Sequence, residues 1–288
     1  MYEICCSLGP DNHDEESFLK CQKAGISRVE ISCSDLTQAE AIDFKKIKEY
    51  SEKYGVKLWS HHLPFWPFNE IDVSSTHEEL RKKSVELCTK YIKRAGEVGI
   101  DKFIIHPSGE PISEEDRAAR IAASKKSLKE LAEVAAQFGG AIAVEDLPRT
   151  CLGRDSADIS ELISADERLR VCFDTNHLLK EEIRDFIRSV GEKIITTHVS
   201  DYDRVNERHW LPGEGVIDWQ ELLTELKKVN YTGVWLYEIG LKCPDSIIRD
   251  RDLTFDDFVR NAKELFKGEK PTIFSKPVKK LGFWGPEE

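Results

Sequence analysis

The sequence predicts an α/β chain folded as a (β/α)8 barrel, and three observations carry that reading. Short apolar runs alternate with amphipathic helical runs almost without interruption, eight such pairs can be counted, and the later apolar runs each deliver a histidine or carboxylate into a polar loop. Eight is the number that closes a barrel. An open doubly wound sheet is the alternative, but no Gly-x-Gly-x-x-Gly loop follows the first strand. One barrel domain is expected over residues 1–268, with 269–288 as an extended tail packed on the barrel or on a partner.

Taken in order, residues 2–7 read as the first strand and 15–24 as a helix closed by Gly25, a good C-terminal cap. A second strand is expected at 27–32, then one helix over 36–54 stopped by Gly55, then a third strand at 56–61. Pro64 and Pro67 break the chain there into a loop rich in aromatics. The segment 76–98 reads as a long amphipathic helix with Leu80, Leu87, Tyr91 and Ala95 on one face. Residues 102–105 form the fourth strand, ending at His106-Pro107. Ser113-Glu114-Glu115-Asp116 then starts a helix by cap and dipole, and Gly139-Gly140 ends it. The last four strands, 141–144, 171–173, 194–197 and 234–237, lead into Glu145, Asp174, His198 and Glu238. Helices are expected between them at 156–164, 180–189 and 219–229, with a final one near 255–266.

Composition narrows the function. The 288 residues are 40% hydrophobic, enough for a sizeable core, and carry a formal charge of -11 with a pI near 5.4. Partners with a phosphate backbone or an anionic lipid surface need a concentrated basic face, so nucleic acid and membrane are both disfavoured. The start has no basic, apolar leader and no run approaches the roughly 18 apolar residues of a membrane span, so a soluble cytoplasmic protein is expected. Eight cysteines are scattered without a Cys-x-x-Cys pair, which suits reduced thiols rather than a zinc ribbon or a disulfide scaffold.

Polar residues at the C-terminal strand ends of such a barrel converge on one mouth. Glu145, Asp174, His198 and Glu238 occupy four consecutive ends, a mainly hard ligand set suited to Mn2+, Mg2+ or Co2+, with Zn2+ as a further candidate. Any one of them alone is as easily structural. The joint pattern points to a metal.

These residues also carry a resemblance. Glu145-Asp146-Leu147-Pro148, Phe173-Asp174-Thr175-Asn176-His177, His198-Val199-Ser200-Asp201, the turn Pro212-Gly213-Glu214-Gly215 followed by Ile217-Asp218-Trp219, and Tyr237-Glu238 resemble the xylose isomerase-like TIM barrels, in particular the sugar phosphate isomerase/epimerase branch. The resemblance implies one divalent ion held by Glu145, Asp174, His198 and Glu238, and a sugar or polyol as small-molecule substrate. In the ketose 3-epimerases of this group the two glutamates also serve as acid and base on opposite faces of the sugar, through an enediolate. The physical logic stands beside the name: a C–H next to a carbonyl is too weakly acidic until a cation polarises the oxygen, and a carboxylate on each side allows removal from one face and return to the other.

The same resemblance makes His62, His106 and His177 candidates for substrate hydroxyls, the alternative being hydrogen-bonded histidines at strand ends. His61 alternates with His62 and is expected to face the helices. Trp66 and Phe65 are read as an apolar wall over the substrate or as packing, and Arg149 as a contact for an anionic group or as an exposed arginine in a salt bridge. A second resemblance is to endonuclease IV, the apurinic DNA-repair enzyme, through His62, His106, His177 and Glu207-Arg208-His209 before the Gly-Glu-Gly turn, a set that offers ligands for three metals. Glu207 departs from that family's aspartate, and the acidic charge and lack of basic loops weigh against DNA. There is also a departure from the 3-epimerases, which have a shorter loop after the strand-seven histidine and an arginine where His209 stands. A keto-inositol isomerase or dehydratase and a non-catalytic sugar-binding barrel are the remaining alternatives. A homo-oligomer is left open, with Phe65 to Phe68 and Phe283-Trp284 as candidate contact surfaces.

Overall fold

The computed structural model describes residues 1–276. Eight parallel strands, β1 (Ile4–Leu8), β2 (Arg28–Ser32), β3 (Lys57–His62), β4 (Lys102–Ile105), β5 (Ala141–Glu145), β6 (Arg170–Asp174), β7 (Ile194–His198) and β8 (Trp235–Tyr237), pair in sequence order, and β8 returns to β1. Between β7 and β8 the ring is closed by a bridge from Val199 to Tyr237 rather than by a full ladder. The helices are α1 (Glu15–Ala24), α2 (Leu36–Ala41), α3 (Phe44–Tyr54), α4 (Glu78–Gly96), α5 (Arg117–Ala136), α6 (Ser156–Ile163), α7 (Ile183–Val190), α8 (Trp219–Lys228) and α9 (Phe255–Phe266). No helix among the described residues is long and apolar enough to cross a membrane.

Two expectations change. The helix read as continuous over 36–54 is two helices, because Ile42 leaves the helical region and Asp43 caps a fresh start by accepting the Lys46 N–H. Arg94 then donates to the carbonyls of Ala39 and Ile42 that the break sets free. The helix expected from Ser113 begins at Arg117: the Ser113 hydroxyl caps a separate turn by accepting the Asp116 N–H. The tail is seen as far as a short antiparallel pair, β9 (Ile248–Arg249) with β10 (Ser275–Lys276), while Phe283 and Trp284 lie outside the described residues.

Most of the apolar core lies between strands and helices, and the barrel interior is lined by small or polar groups such as Cys5, Ser60, Ala143 and Cys172. A register shift in β3 sets which residues reach that interior. Val29 pairs with Leu58 but Glu30 pairs with Ser60, so Trp59 is an extra residue in the ladder. Its indole packs with Cys5, Val234 and Leu236 and donates to the Thr196 hydroxyl. Beyond the shift, His62 approaches Glu145 inside the barrel and His61 packs edge-on against Phe44 of α3, facing the helices as expected.

Candidate metal centre and barrel mouth

Glu145 ends β5, Asp174 ends β6, His198 ends β7, and Glu238 follows β8. Ligand atoms of all four lie within 4.8 Å of one another. His198 Nδ1 is the hub, 2.7 Å from Glu145 Oε1, 3.4 Å from Glu238 Oε1 and 3.9 Å from Asp174 Oδ2. The other Glu145 oxygen, Oε2, is 3.1 Å from His62 Nε2 and 3.2 Å from His106 Nε2. A third group joins His177 and Glu207, Nε2 to Oε2 at 3.1 Å, with His209.

The motifs that deliver these groups have local reasons. In Phe173-Asp174-Thr175-Asn176-His177 each polar residue has a separate partner. The Asp174 N–H donates to Asp146 Oδ1 at 2.7 Å, and the Thr175 hydroxyl donates to the Ser200 carbonyl at 2.6 Å. Asn176 Oδ1 accepts the N–H of Arg208 at 2.7 Å and of His209 at 3.3 Å, which ties the long loop after β7 to the end of β6. Asp201 accepts from the Gly213 N–H and the Trp219 indole, so it fixes both the Pro-Gly-Glu-Gly turn and the start of α8. Gly215 is needed for that approach, since a Cβ there would lie 2.2 Å from Asp201 Oδ1. Glu214 is held in turn by the Arg249 guanidinium at 2.6 Å and by the Phe274 N–H at 3.2 Å.

Charge is unevenly distributed. Glu30, Glu145 and Asp174 are buried and Glu238 is largely so, all near His198. Burial raises the Glu145 pKa, but the His198 charge and the hydrogen bonds from His106, His198 and His62 outweigh it and hold this carboxyl well below its ordinary range. Glu238 goes the other way: burial, reinforced by Glu145, Asp174 and Glu30 against the pull of His198, pushes it well above. Asp174 Oδ2 is buried with no hydrogen-bond partner among the described residues. An excess of buried carboxylates, an orphaned oxygen aimed at the hub and an imidazole beside them fit a hard divalent cation.

Above this floor opens a cleft of about 580 Å³. His62, His106, His177 and His209 line it with Trp66 and Arg149, as do Phe65, Phe68 and Phe255. The Phe65 ring stacks on His106 with centroids 3.9 Å apart, and Trp66, half exposed, meets Phe68 edge-on. His209 Nδ1 lies 3.1 Å from the Glu238 carbonyl oxygen. Arg149 forms a salt bridge, 2.6 Å to Glu110 and 2.8 Å to Glu207, but it is largely buried in the cleft wall rather than exposed. The sequence reading missed Glu30, Ser60 and Asp146. The available signal for Glu30 was a carboxylate in the middle of an otherwise apolar buried strand, Val29-Glu30-Ile31.

Comparison with known proteins places this geometry. The chain is 27% identical over 227 residues to the uncharacterized protein MJ1311 of Methanocaldococcus jannaschii, covering 76% of each chain. It is 26% identical over 228 residues to a probable endonuclease 4 of Thermoplasma acidophilum, covering 73% of this chain and 76% of that one. Among solved structures, a D-psicose 3-epimerase determined in the presence of D-fructose superposes with a TM-score of 0.75 at 18% identity, over 94% of this chain and all of the other. Residues 18–253 match the model of the xylose isomerase-like TIM barrel, and with the eight-stranded ring this makes the chain a member of that family.

Proposed function

We propose that the protein is a divalent-metal-dependent isomerase or epimerase of a sugar or keto-polyol, working by proton transfer next to a carbonyl. The observation that carries this reading is the convergence of Glu145, Asp174, His198 and Glu238 at the floor of an open cleft. Mn2+, Mg2+ or Co2+, with Zn2+ as a further candidate, would be held by these four, and such an ion supplies Lewis acidity to a carbonyl oxygen. Glu145 and Glu238 do the proton work. Glu145 at the end of β5 and Glu238 after β8 would stand on either side of a bound substrate, one to remove a proton and one to return it. His62, His106, His177 and His209, which line the cleft, would receive hydroxyl groups, and Trp66 and Phe65 would cover a sugar face. Among the described residues lining the cleft, Arg149 is the only lysine or arginine, and Glu110 and Glu207 already engage it. That wall suits an uncharged polyol better than a phosphate ester.

A second reading has its own observation. His62 and His106 with Glu145, and His177 and Glu207 with His209, are two more groups of converging ligand atoms. They would suit a multinuclear phosphodiesterase, consistent with similarity to a probable endonuclease 4. Metal content of the purified protein, compared with Asp174→Ala, separates the two. About one ion per chain, lost in the variant, with solvent deuterium entering ketoses or inososes beside the carbonyl, is the expected outcome. About three zinc ions with cleavage of abasic DNA would replace this reading by the second. Sugar binding without any exchange would leave a non-catalytic barrel.

A further inference from the structure

Glu30 sits in the middle of β2, fully buried, with its side chain inside the barrel beneath the mouth. A carboxylate there costs more than the valine or isoleucine that flanks it on either side would, unless it acts on something. Its Oε2 accepts the Ser60 hydroxyl at 2.7 Å and lies 3.2 Å from His198 Nε2. The Ser60 contact depends on the register shift at Trp59, which sets Ser60 rather than Trp59 opposite Glu30. Its other oxygen, Oε1, is buried without a hydrogen-bond partner among the described residues.

We infer that Glu30 is a positioning residue for the candidate metal centre: its carboxylate keeps the proton of His198 on Nε2 and turns Nδ1 toward Glu145, Asp174 and Glu238. The two ring nitrogens face different company. Nε2 looks down at Glu30, and Nδ1 looks up at the three mouth carboxylates. A lone pair on Nε2 would oppose the Glu30 oxygen at 3.2 Å, whereas an N–H there donates to it. Without an ion Nδ1, 2.7 Å from Glu145 Oε1, carries a proton as well; a cation at the mouth takes the place of that proton and makes Nδ1 the ligating atom, while Glu30 keeps the proton on Nε2. The negative charge behind the ring also makes it a stronger donor, as carboxylates behind metal-bound histidines do. Ser60 holds Glu30 in turn, so the line Ser60, Glu30, His198 runs from β3 through β2 to β7.

This inference rests on the reading of the four mouth residues as metal ligands, and its test keeps the two apart. Competition with a chromogenic chelator for Mn2+ or Co2+ is measured on wild type, Glu30→Gln and Ser60→Ala, with the melting temperature of each metal-free protein. Glu30→Gln keeps size and a carbonyl acceptor but loses the charge. Its metal affinity is expected to fall by about tenfold to a hundredfold while the metal-free fold is retained, with a smaller fall for Ser60→Ala. Affinity within about twofold of wild type in Glu30→Gln would overturn the inference and leave the metal site standing. A wild type that takes up no ion would overturn both. Should Glu30→Gln fail to fold, imidazole 15N spectra of metal-loaded wild type decide: a protonated Nε2 with ligating Nδ1 on His198 supports the assignment, and the reverse tautomer overturns it.

Discussion

Buried charge is handled in two ways in this molecule. Around the rim and outer shell it is matched: Arg249 with Glu214, Arg117 with Asp158, and Asp257 between Arg251 and Arg260. At the mouth it is not, and Glu30, Glu145, Asp174 and Glu238 crowd around His198, with His62 and His106 beside Glu145. A matched pair offsets much of its own desolvation and can exist for its own geometry. A surplus of one sign costs stability and needs something outside the chain to offset it, so the imbalance marks where the chemistry is to be sought.

The comparison can be broken at several points. The largest effect is expected at the mouth, where Glu145→Gln should reduce proton exchange by on the order of a thousandfold or more with the circular dichroism spectrum unchanged. Near-normal turnover would remove Glu145 from the chemistry. Arg249→Ala tests the matched side. With both partners' side chains fully buried, removing the guanidinium strands Glu214, and urea unfolding should register a loss of about 3 kcal/mol. A loss no larger than that of a surface substitution would mean the pair is not truly dry.

Adding the cognate ion should stabilise the fold by about 2.7 kcal/mol at a hundred times its dissociation constant, and Asp174→Ala should erase that gain. An equal gain in the variant would place the ion elsewhere. The smallest effect concerns pH. Burial would raise the Asp257 carboxyl, but Arg251 and the Thr254 amide and hydroxyl bring it down to about 2. Its folded value is depressed, so its contribution, about 2 kcal/mol, is present above pH ~4 and lost as pH falls toward 2. The acid slope of stability should therefore be shallower in Asp257→Asn. An unchanged slope would show that the pair contributes nothing.

The fold was largely legible because its signals are local. Asp14 and Asp218 cap α1 and α8 through nearby backbone N–H groups, and Gly25 and Gly55 close α1 and α3 in the left-handed region. The break at Ile42 was not legible, since what holds it is Arg94, more than fifty positions away. Likewise the four mouth residues could be read from strand ends, whereas Glu30 could not be paired with His198, 168 positions on, without the barrel's curvature. The shift at Trp59 is the extreme case. No residue type announces it, yet it sets Ser60 opposite Glu30 and accompanies the inward turn of His62.

Glu214 gives the protein a clock. The loop that carries Glu207 and His209 ends in a turn whose carboxylate waits for the Phe274 amide, 60 positions downstream. At ~5–20 residues per second a ribosome needs about 3 to 12 s to travel that distance. By the time Phe274 is made, the strands leading to Glu145, Asp174, His198 and Glu238 already exist, so this last clasp on the turn is added after the sheet that it serves.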